Sequence, residues 1–393
     1  MHIIYATYQF FPDFRSNTYQ SINTIKQFKK RNIDSVLLYP ERKHSQEDIK
    51  SHYDLDFSPT YEALPHTKFF KYQFGFLNRF IYIFLHMRFG FRLKKYVSKY
   101  KRDNTIIYTR SPIILYCLRS LDIPFVYESH QYTKLTKTLI TSFWSKNKKL
   151  LVITTTPHLQ DYFIDLDIPE NNVVYLESSY NEEYFINQEQ QKASSHQKVI
   201  TFGGSLKIMD ESKDVEKIIE AFSELIKNDD SLDAVFHIYT ANEREFNYLN
   251  NFVSNSSFGD EIVVSPRISQ EQYINKLYNS DIGVVALPDT YHVNNFSSSL
   301  KYFEYIRAGL VILASDVKAN SRFPYPNTVF YNPNMSNIQT ALEDALKLSE
   351  NKNDYDVKKI TQYSHQNRIS SILDKMYSLD FIARPEGLEP STP

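Results

Sequence analysis

Short runs rich in β-branched and aromatic residues alternate along the chain with longer stretches whose apolar positions recur every three or four residues. That alternation predicts a doubly wound α/β architecture, with strands in the runs and helices between them. In the first half the predicted strands are Ile3–Thr7, Ser35–Tyr39, Thr105–Thr109, Phe125–Tyr127, Leu150–Thr154 and Val173–Leu176. Between the first two, Ile22, Ile25 and Phe28 mark a helix over Asn17–Lys30. From Asn181 to Gln197 the pattern gives way to Glu, Gln, Ser and Asn, as in a linker. It then restarts with strands at Lys198–Phe202, Ala234–Tyr239, Ile282–Ala286 and Leu310–Ala314, and helices at Asp214–Lys227, Ser269–Asn279 and Leu300–Ala308. A last helical stretch covers Val357–Tyr377. Two domains are expected, 1–182 and 198–350, joined by a linker at 183–197. A C-terminal helical segment at 351–379 follows, then a proline-rich tail at 380–393 expected to be disordered.

Composition narrows the class. A chain of 393 residues exceeds a typical single core. Its formal net charge of -1 excludes a global nucleic-acid footprint. The lone cysteine, Cys117, excludes an internal disulfide, fits a reducing compartment, and sits in an apolar run that suits a buried thiol. The first residues lack the pattern of a signal peptide, and no stretch of 18 apolar residues occurs. A cytoplasmic protein is expected. Glycine is scarce, with 8 residues, so the adjacent pair Gly203-Gly204 stands out.

The stretch from Ser297 to Gly309 carries the most chemistry. Serines suit an N-cap and Gly309 suits the residue past a helix end, so a short helix is framed between them. Its N-terminus would offer free N–H groups to phosphate oxygens. Lys301 places a cation where its own helix dipole disfavours one. Glu304, three residues on, shares its face and could accept bonds from two ribose hydroxyls. An ordinary amphipathic helix with a solvated Lys–Glu pair reads equally well from the spacing. A second anion candidate is the strand end Gly203-Gly204-Ser205, followed by Lys213 at the start of the next helix. In the first half, Glu128-Ser129-His130 and Arg110 follow predicted strands, at the sheet edge where open α/β folds bind ligands. A surface-loop histidine is the plain alternative for His130. The triplets Asp54-Leu55-Asp56 and Asp165-Leu166-Asp167 follow no convincing strand, and no zinc spacing, Walker loop or G-x-S-x-G elbow is present.

These residues together resemble glycosyltransferase family 4, retaining enzymes of GT-B fold. Ser298-Ser299-Leu300-Lys301-Tyr302-Phe303-Glu304-Tyr305, with Ala308-Gly309 and then Ala314-Ser315-Asp316, is similar to that family's S-P-x-K-x-x-E-Y-x-A-x-G and A-S-D signature. Phe202-Gly203-Gly204-Ser205-Leu206, Lys213 and Ala221-Phe222 echo its Y-x-G-R-L, K-G and A-F elements, and Tyr127-Glu128-Ser129-His130 resembles V-Y-E-x-H. The resemblance implies two facing Rossmann-like domains with parallel sheets, the C-terminal helix returning to the first. It implies a donor site of Gly203, Gly204, Ser205, Lys213, Ser298, Ser299, Lys301 and Glu304. Lys213 and Lys301 would hold the diphosphate, Glu304 the ribose and His130 the transferred sugar, making His130 and Glu304 the catalytic pair. Arg110 and Glu128 would lie on the acceptor side. The nucleotide sugar is a substrate, and neither cofactor nor metal is implied. Departures fall at Ser205 (arginine in the family), Asp214 (glycine), Phe296 (glutamate) and Leu176–Tyr180 (P-N-G-V-D), and the first loop, Gln9–Thr18, lacks glycine. The expected function is sugar transfer from a nucleotide-diphosphate donor, with retention, to a glycan or lipid-linked acceptor in cell-surface polysaccharide or lipopolysaccharide synthesis. A non-catalytic glycan-assembly subunit and a nucleotide-sugar epimerase of the same fold are the alternatives.

One segment belongs to neither site. Residues 68–102 contain ten Lys/Arg and no Asp/Glu, interleaved with Phe69, Phe70, Phe74, Phe76, Phe80, Tyr82, Phe84, Phe89 and Phe91. Such a stretch is too charged to span a bilayer and suits its interface, which would make the protein peripheral on the inner membrane face. The competing reading is a core helix with Phe80, Ile83, Phe84 and Met87 as its buried stripe.

Overall fold

The computed structural model describes residues 1–13, 15–41, 49–53, 55–66, 77–186, 197–229, 231–256, 258–323 and 325–383. The chain divides into two compact units. One comprises Met1–Glu177 and the segment beginning at His365, and the other Ser178–Ser364.

The first unit is a seven-stranded sheet, parallel throughout. Its strands are β1 (His2–Ala6), β2 (Asp34–Pro40), β3 (Tyr61–Leu64), β4 (Thr105–Thr109), β5 (Phe125–Ser129), β6 (Leu150–Thr154) and β7 (Val173–Tyr175). They are ordered β3-β2-β1-β4-β5-β6-β7, so the order reverses between β1 and β4. Helices α1 (Ser16–Lys30), α2 (Ile49–His52), α3 (Leu77–Tyr100), α4 (Pro112–Leu118), α5 (Lys134–Trp144) and α6 (Pro157–Ile164) run between strands. Every residue of β4, β5 and β6 is buried, because helices cover both faces. Alternate side chains feed two cores. Ile4, Ala6, Ile107 and Phe125 meet α3, α4 and α5 through Phe89, Leu115 and Phe143. Ile3, Tyr5, Val126 and Leu151 face the other way, towards α1 and the C-terminal helix. Local signals start the helices: Ser111 and Thr156 cap α4 and α6 ahead of a proline, and Thr133 caps α5.

The second unit begins with α7 (Glu183–Ile186), then β8 (Lys198–Gly204) and a two-stranded ribbon of β9 (Lys207–Ile208) and β10 (Glu211–Ser212). Next come α8 (Val215–Asn228), β11 (Ala234–Thr240), α9 (Glu243–Ser254), β12 (Ile262–Ser265), α10 (Gln270–Tyr278), β13 (Ile282–Val285) and α11 (Tyr291–Phe296). The unit continues with α12 (Leu300–Arg307), β14 (Val311–Ser315), α13 (Lys318–Ser321), β15 (Thr328–Tyr331) and α14 (Ile338–Glu350). Its parallel six-stranded sheet is ordered β12-β11-β8-β13-β14-β15, with the reversal between β8 and β13.

Several elements differ from the sequence-based expectation. Gln197 precedes β8, but Glu183–Ile186 of the expected linker forms α7, which seats Phe185 in the second unit's core while Arg307 pairs with Glu182 at 2.8 Å. Residues 187–196 lie outside the described residues. The expected helix over Val357–Tyr377 is two pieces, a 3-10 turn at Val357–Tyr363 and α15 (His365–Ser378). The chain re-enters the first unit at His365 rather than at 351. There α15 buries Ile369, Ile372, Leu373 and Met376, each worth roughly 1.5–3 kcal/mol. Of the expected tail 380–393, Phe381 and Ile382 pack on the same core, and 384–393 fall outside the described residues. In α3 the buried stripe is Leu85, Phe89, Leu93 and Val97; of the expected core stripe, Ile83 and Met87 pack against a smaller buried cluster while Phe80 and Phe84 are exposed.

Candidate functional site

In the second unit the candidate residues collect at the carboxyl end of β8, beside the strand-order reversal where open α/β sheets bind ligands. Gly203 is required sterically: a Cβ there would stand 2.3 Å from the Tyr273 ring. Gly204 has φ +135, which L side chains rarely adopt. The same tyrosine reaches the Ser298–Gly309 segment, since its hydroxyl lies 2.8 Å from that of Tyr305 and its ring lies under Lys301 Nζ at 3.8 Å.

Helix α12 ends as the sequence predicts. Gly309 at φ +71 lets its N–H reach the carbonyl of Ile306, and the Leu310 N–H reaches that of Tyr305. Its start differs. Ser299 is the N-cap residue but makes no side-chain cap bond, and the Ser298 hydroxyl instead accepts from the Ser178 N–H at 2.9 Å.

Glu304 is not a solvated surface acid: it is 2% exposed. Lys301 Nζ donates to its Oε2 at 2.8 Å and Gln270 Nε2 donates to its Oε1 at 2.7 Å. Each carboxylate oxygen keeps further acceptor capacity. Lys213 is half-buried, and burial, with the Lys301 charge, lowers its ammonium to about 8 against the opposing pull of Glu245. Glu245 accepts from the Ser205 hydroxyl at 2.6 Å, while its Oε2 is buried without a hydrogen-bond partner. Where the resemblance implies an arginine, a neutral hydroxyl therefore meets this carboxylate. Asp214, in a family glycine position, is the N-cap residue of α8 with φ 52. Phe296 is buried at the end of α11 against Tyr291 and His292.

The first unit gathers a different set. Strand β5 continues through Glu128 and Ser129, so Glu128 is a buried strand residue rather than a loop residue. His130 Nε2 lies 2.6 Å from Glu128 Oε1 and 2.5 Å from Arg110 Nη2, one ring nitrogen between a carboxylate and a guanidinium. The Tyr108 hydroxyl donates to Glu128 Oε2. Beneath these lies Arg368 of α15, whose Nη1 and Nη2 approach the Glu128 oxygens at 3.4 Å and whose Nε donates to the Glu177 carbonyl at 3.0 Å. Burial alone would raise the Glu128 carboxyl, but Arg368, Arg110 and His130 hold it well below the usual carboxylate range. Burial and then Arg110 push His130 down to about 4, so the imidazole is neutral at pH 7.

Sequence reasoning missed Arg368, Tyr108, Gln270, Tyr273 and Glu245. Only Gln270 had a signal nearby, the Ser269–Gln272 capping box that starts α10. Of the aspartate triplets, Asp165 is the C-cap residue of α6 and Asp167 follows at φ 60, while Asp54 lies outside the described residues.

No protein-family model matches the chain, and no curated protein matches its sequence. Solved structures do match it. A glycosyltransferase from Rickettsia africae superposes with TM-score 0.69 at 14% identity, over 96% of this chain and 98% of that one. Anabaena HepE in complex with UDP-glucose gives 0.63 at 12% identity, over 96% and 100%. Sucrose-phosphate synthase from Thermosynechococcus elongatus gives 0.67 at 12% identity, over 96% and 100%. At such identities the likeness concerns the fold, and the fold of this chain, two parallel-sheet Rossmann-like units, is GT-B.

Proposed function

We propose that the chain is a glycosyltransferase that takes a sugar from a nucleotide-diphosphate donor and passes it, with retention and without a metal, to a glycan or lipid-linked acceptor. Glu304 carries the reading. A carboxylate buried at the carboxyl end of a parallel sheet, held by one lysine and one amide, is an acceptor suited to two ribose hydroxyls. In this reading Lys301 turns from Glu304 to the diphosphate when the donor arrives. Lys213 and the α12 N-terminus add positive charge to stabilise the leaving group. His130, neutral and fixed by Glu128 and Arg110, serves the transferred sugar in the first unit. The GT-B likeness and the UDP-glucose bound by the Anabaena protein support a UDP-sugar as the first donor to try. Synthesis of a cell-surface polysaccharide or lipopolysaccharide in the cytoplasm fits this chemistry, and family 4 is the grouping its signature resembles.

A panel of nucleotide sugars screened by thermal shift, followed by transfer assays with and without EDTA, tests the proposal. A donor present at a hundred times its Kd stabilises the fold by about 2.7 kcal/mol. One nucleotide sugar should raise the melting temperature, and turnover should survive the chelator. Failure of every nucleotide sugar to shift the melt would refute donor binding. Loss of turnover with EDTA, restored by manganese, would refute metal independence.

A further inference from the structure

The exposed face of α3 carries a second kind of order, unconnected to either polar cluster. Phe80, Phe84, Arg88, Phe91, Lys95 and Ser98 follow one another at intervals of three or four residues and so lie on a single helix stripe. All six are exposed, with Phe80 at 67%, Phe84 at 65% and Phe91 at 49%. The opposite stripe, Leu85, Phe89, Leu93 and Val97, is buried, its last three residues in the core under the sheet. Large aromatic side chains left outside in register, with cations between them, are not explained by the packing of this unit.

The charge of the surrounding layer points the same way. Helix α3 packs against α4, and α4 against α5. From Ser129 to Gln160, which includes α5, the sequence has five lysines and no Asp or Glu. Lys134, Lys137, Lys146, Lys148 and Lys149 are all exposed. Three carboxylates near this layer are already engaged: Asp34 with Arg102 at 2.5 Å, Asp122 with Lys149 at 2.6 Å and Glu62 with the Tyr96 hydroxyl at 2.5 Å. Among the described residues no helix is long and apolar enough to cross a membrane.

We infer that the outer stripe of α3, within the basic α3–α4–α5 layer, docks the protein flat on an anionic lipid bilayer. The phenylalanines enter the headgroup boundary while Arg88, Lys95 and the α5 lysines meet lipid phosphates. Charge complementarity selects this occupant: a bilayer offers apolar depth and negative surface together. The inference stands whether or not the chain transfers sugar.

Co-sedimentation of the full chain with phosphatidylglycerol-containing and pure phosphatidylcholine vesicles tests it, at low salt and at about 0.5 M salt, where screening is severe. Binding should be confined to the anionic vesicles and weaken with salt. Combining Phe80→Ser, Phe84→Ser and Phe91→Ser should weaken it at least about tenfold. Arg88→Gln with Lys95→Gln should weaken it severalfold. These side chains are exposed, so melting temperatures should stay unchanged, and the double variant is conservative enough to stand if the triple one misfolds. Equal binding to both vesicle types, or undiminished binding by both variants, would overturn the inference. Self-association without vesicles that the triple variant abolishes would overturn it too, identifying the stripe as a contact between copies.

Discussion

Each unit holds a polar cluster at the carboxyl end of its parallel sheet, and the two clusters are built for opposite behaviour. In the first, one carboxylate, Glu128, is approached by the guanidinium groups of Arg110 and Arg368 and by the Tyr108 hydroxyl. Arginine keeps its proton under all ordinary conditions, so this charge pattern is fixed. In the second, the cations are lysines. Lys301 is tied to Glu304, and Lys213 is lowered to about 8. A lysine changes both conformation and charge readily. The first cluster is therefore a scaffold that fixes His130, and the second has the exchangeable ion pairs that the proposed donor site requires.

The comparison breaks first on stability. Arg368→Met removes a buried cation from a buried carboxylate, a class of change that costs about 3–5 kcal/mol. Glu128→Gln, which leaves both arginines facing a neutral amide, should cost a similar amount. Lys213→Met should leave stability unchanged or raise it, since it removes an ammonium whose burial is disfavoured. Denaturant unfolding of the three variants measures the contrast. A mild Arg368→Met and a damaging Lys213→Met would reverse the two roles.

Acid pH sharpens the same contrast. His130 titrates near 4 in the fold and near 6.5 when unfolded, so the unfolded chain binds the extra proton between those values. Stability should fall as pH drops from about 6.5 to about 4, by up to about 3 kcal/mol. The Glu128 contribution, present above the unfolded carboxylate value of about 4.3, disappears only at still lower pH because its folded value is depressed. His130→Gln should abolish the upper part of this fall and keep the lower part. A profile unchanged by His130→Gln would mean that the imidazole titrates freely.

How much of this was legible follows from where the information lies. Strands β4 and β6 were readable to the residue because both faces are buried, which leaves uninterrupted apolar runs. The edge strands β3 and β15 escaped, because exposed residues such as Tyr61 and half-covered ones such as Thr328 give no such run. The Lys301/Glu304 pair was visible because both partners sit on one helix between recognisable ends. Arg368 was invisible: it reaches Glu128 across a sequence separation of 240 residues, and nothing beside it marks the destination. In α3 the periodicity revealed apolar stripes but not which one the core would take. The sheet settled that in favour of Phe89 and Leu93 over Phe80 and Phe84.

In the second cluster the expected effects are smaller and appear in binding rather than folding. A charge-assisted hydrogen bond is worth roughly 1.5–3 kcal/mol, so Glu304→Gln should weaken nucleotide affinity about tenfold or more. Lys301→Ala should weaken it as well, and Glu304→Gln, which leaves no buried charge unpaired, should melt within a few degrees of the parent. Calorimetric titration with the donor found in the screen checks this. Unchanged affinity in both variants would place the nucleotide elsewhere.

The finest distinction lies in the proton on Lys213. If its ammonium meets the donor diphosphate, the bound state holds the proton firmly while the free protein releases it around pH 8. Binding above that pH must then include proton uptake, and affinity should decline between pH 7 and pH 9, severalfold and at most about tenfold. Titrations in two buffers of different ionisation enthalpy at pH 8 should show uptake of a fraction of a proton per donor bound. Lys213→Arg separates charge from geometry, because a guanidinium stays protonated throughout this range. The variant should bind with an affinity independent of pH, even if its absolute value is poorer. A pH dependence that persists in Lys213→Arg would assign the proton to another group and remove Lys213 from the diphosphate.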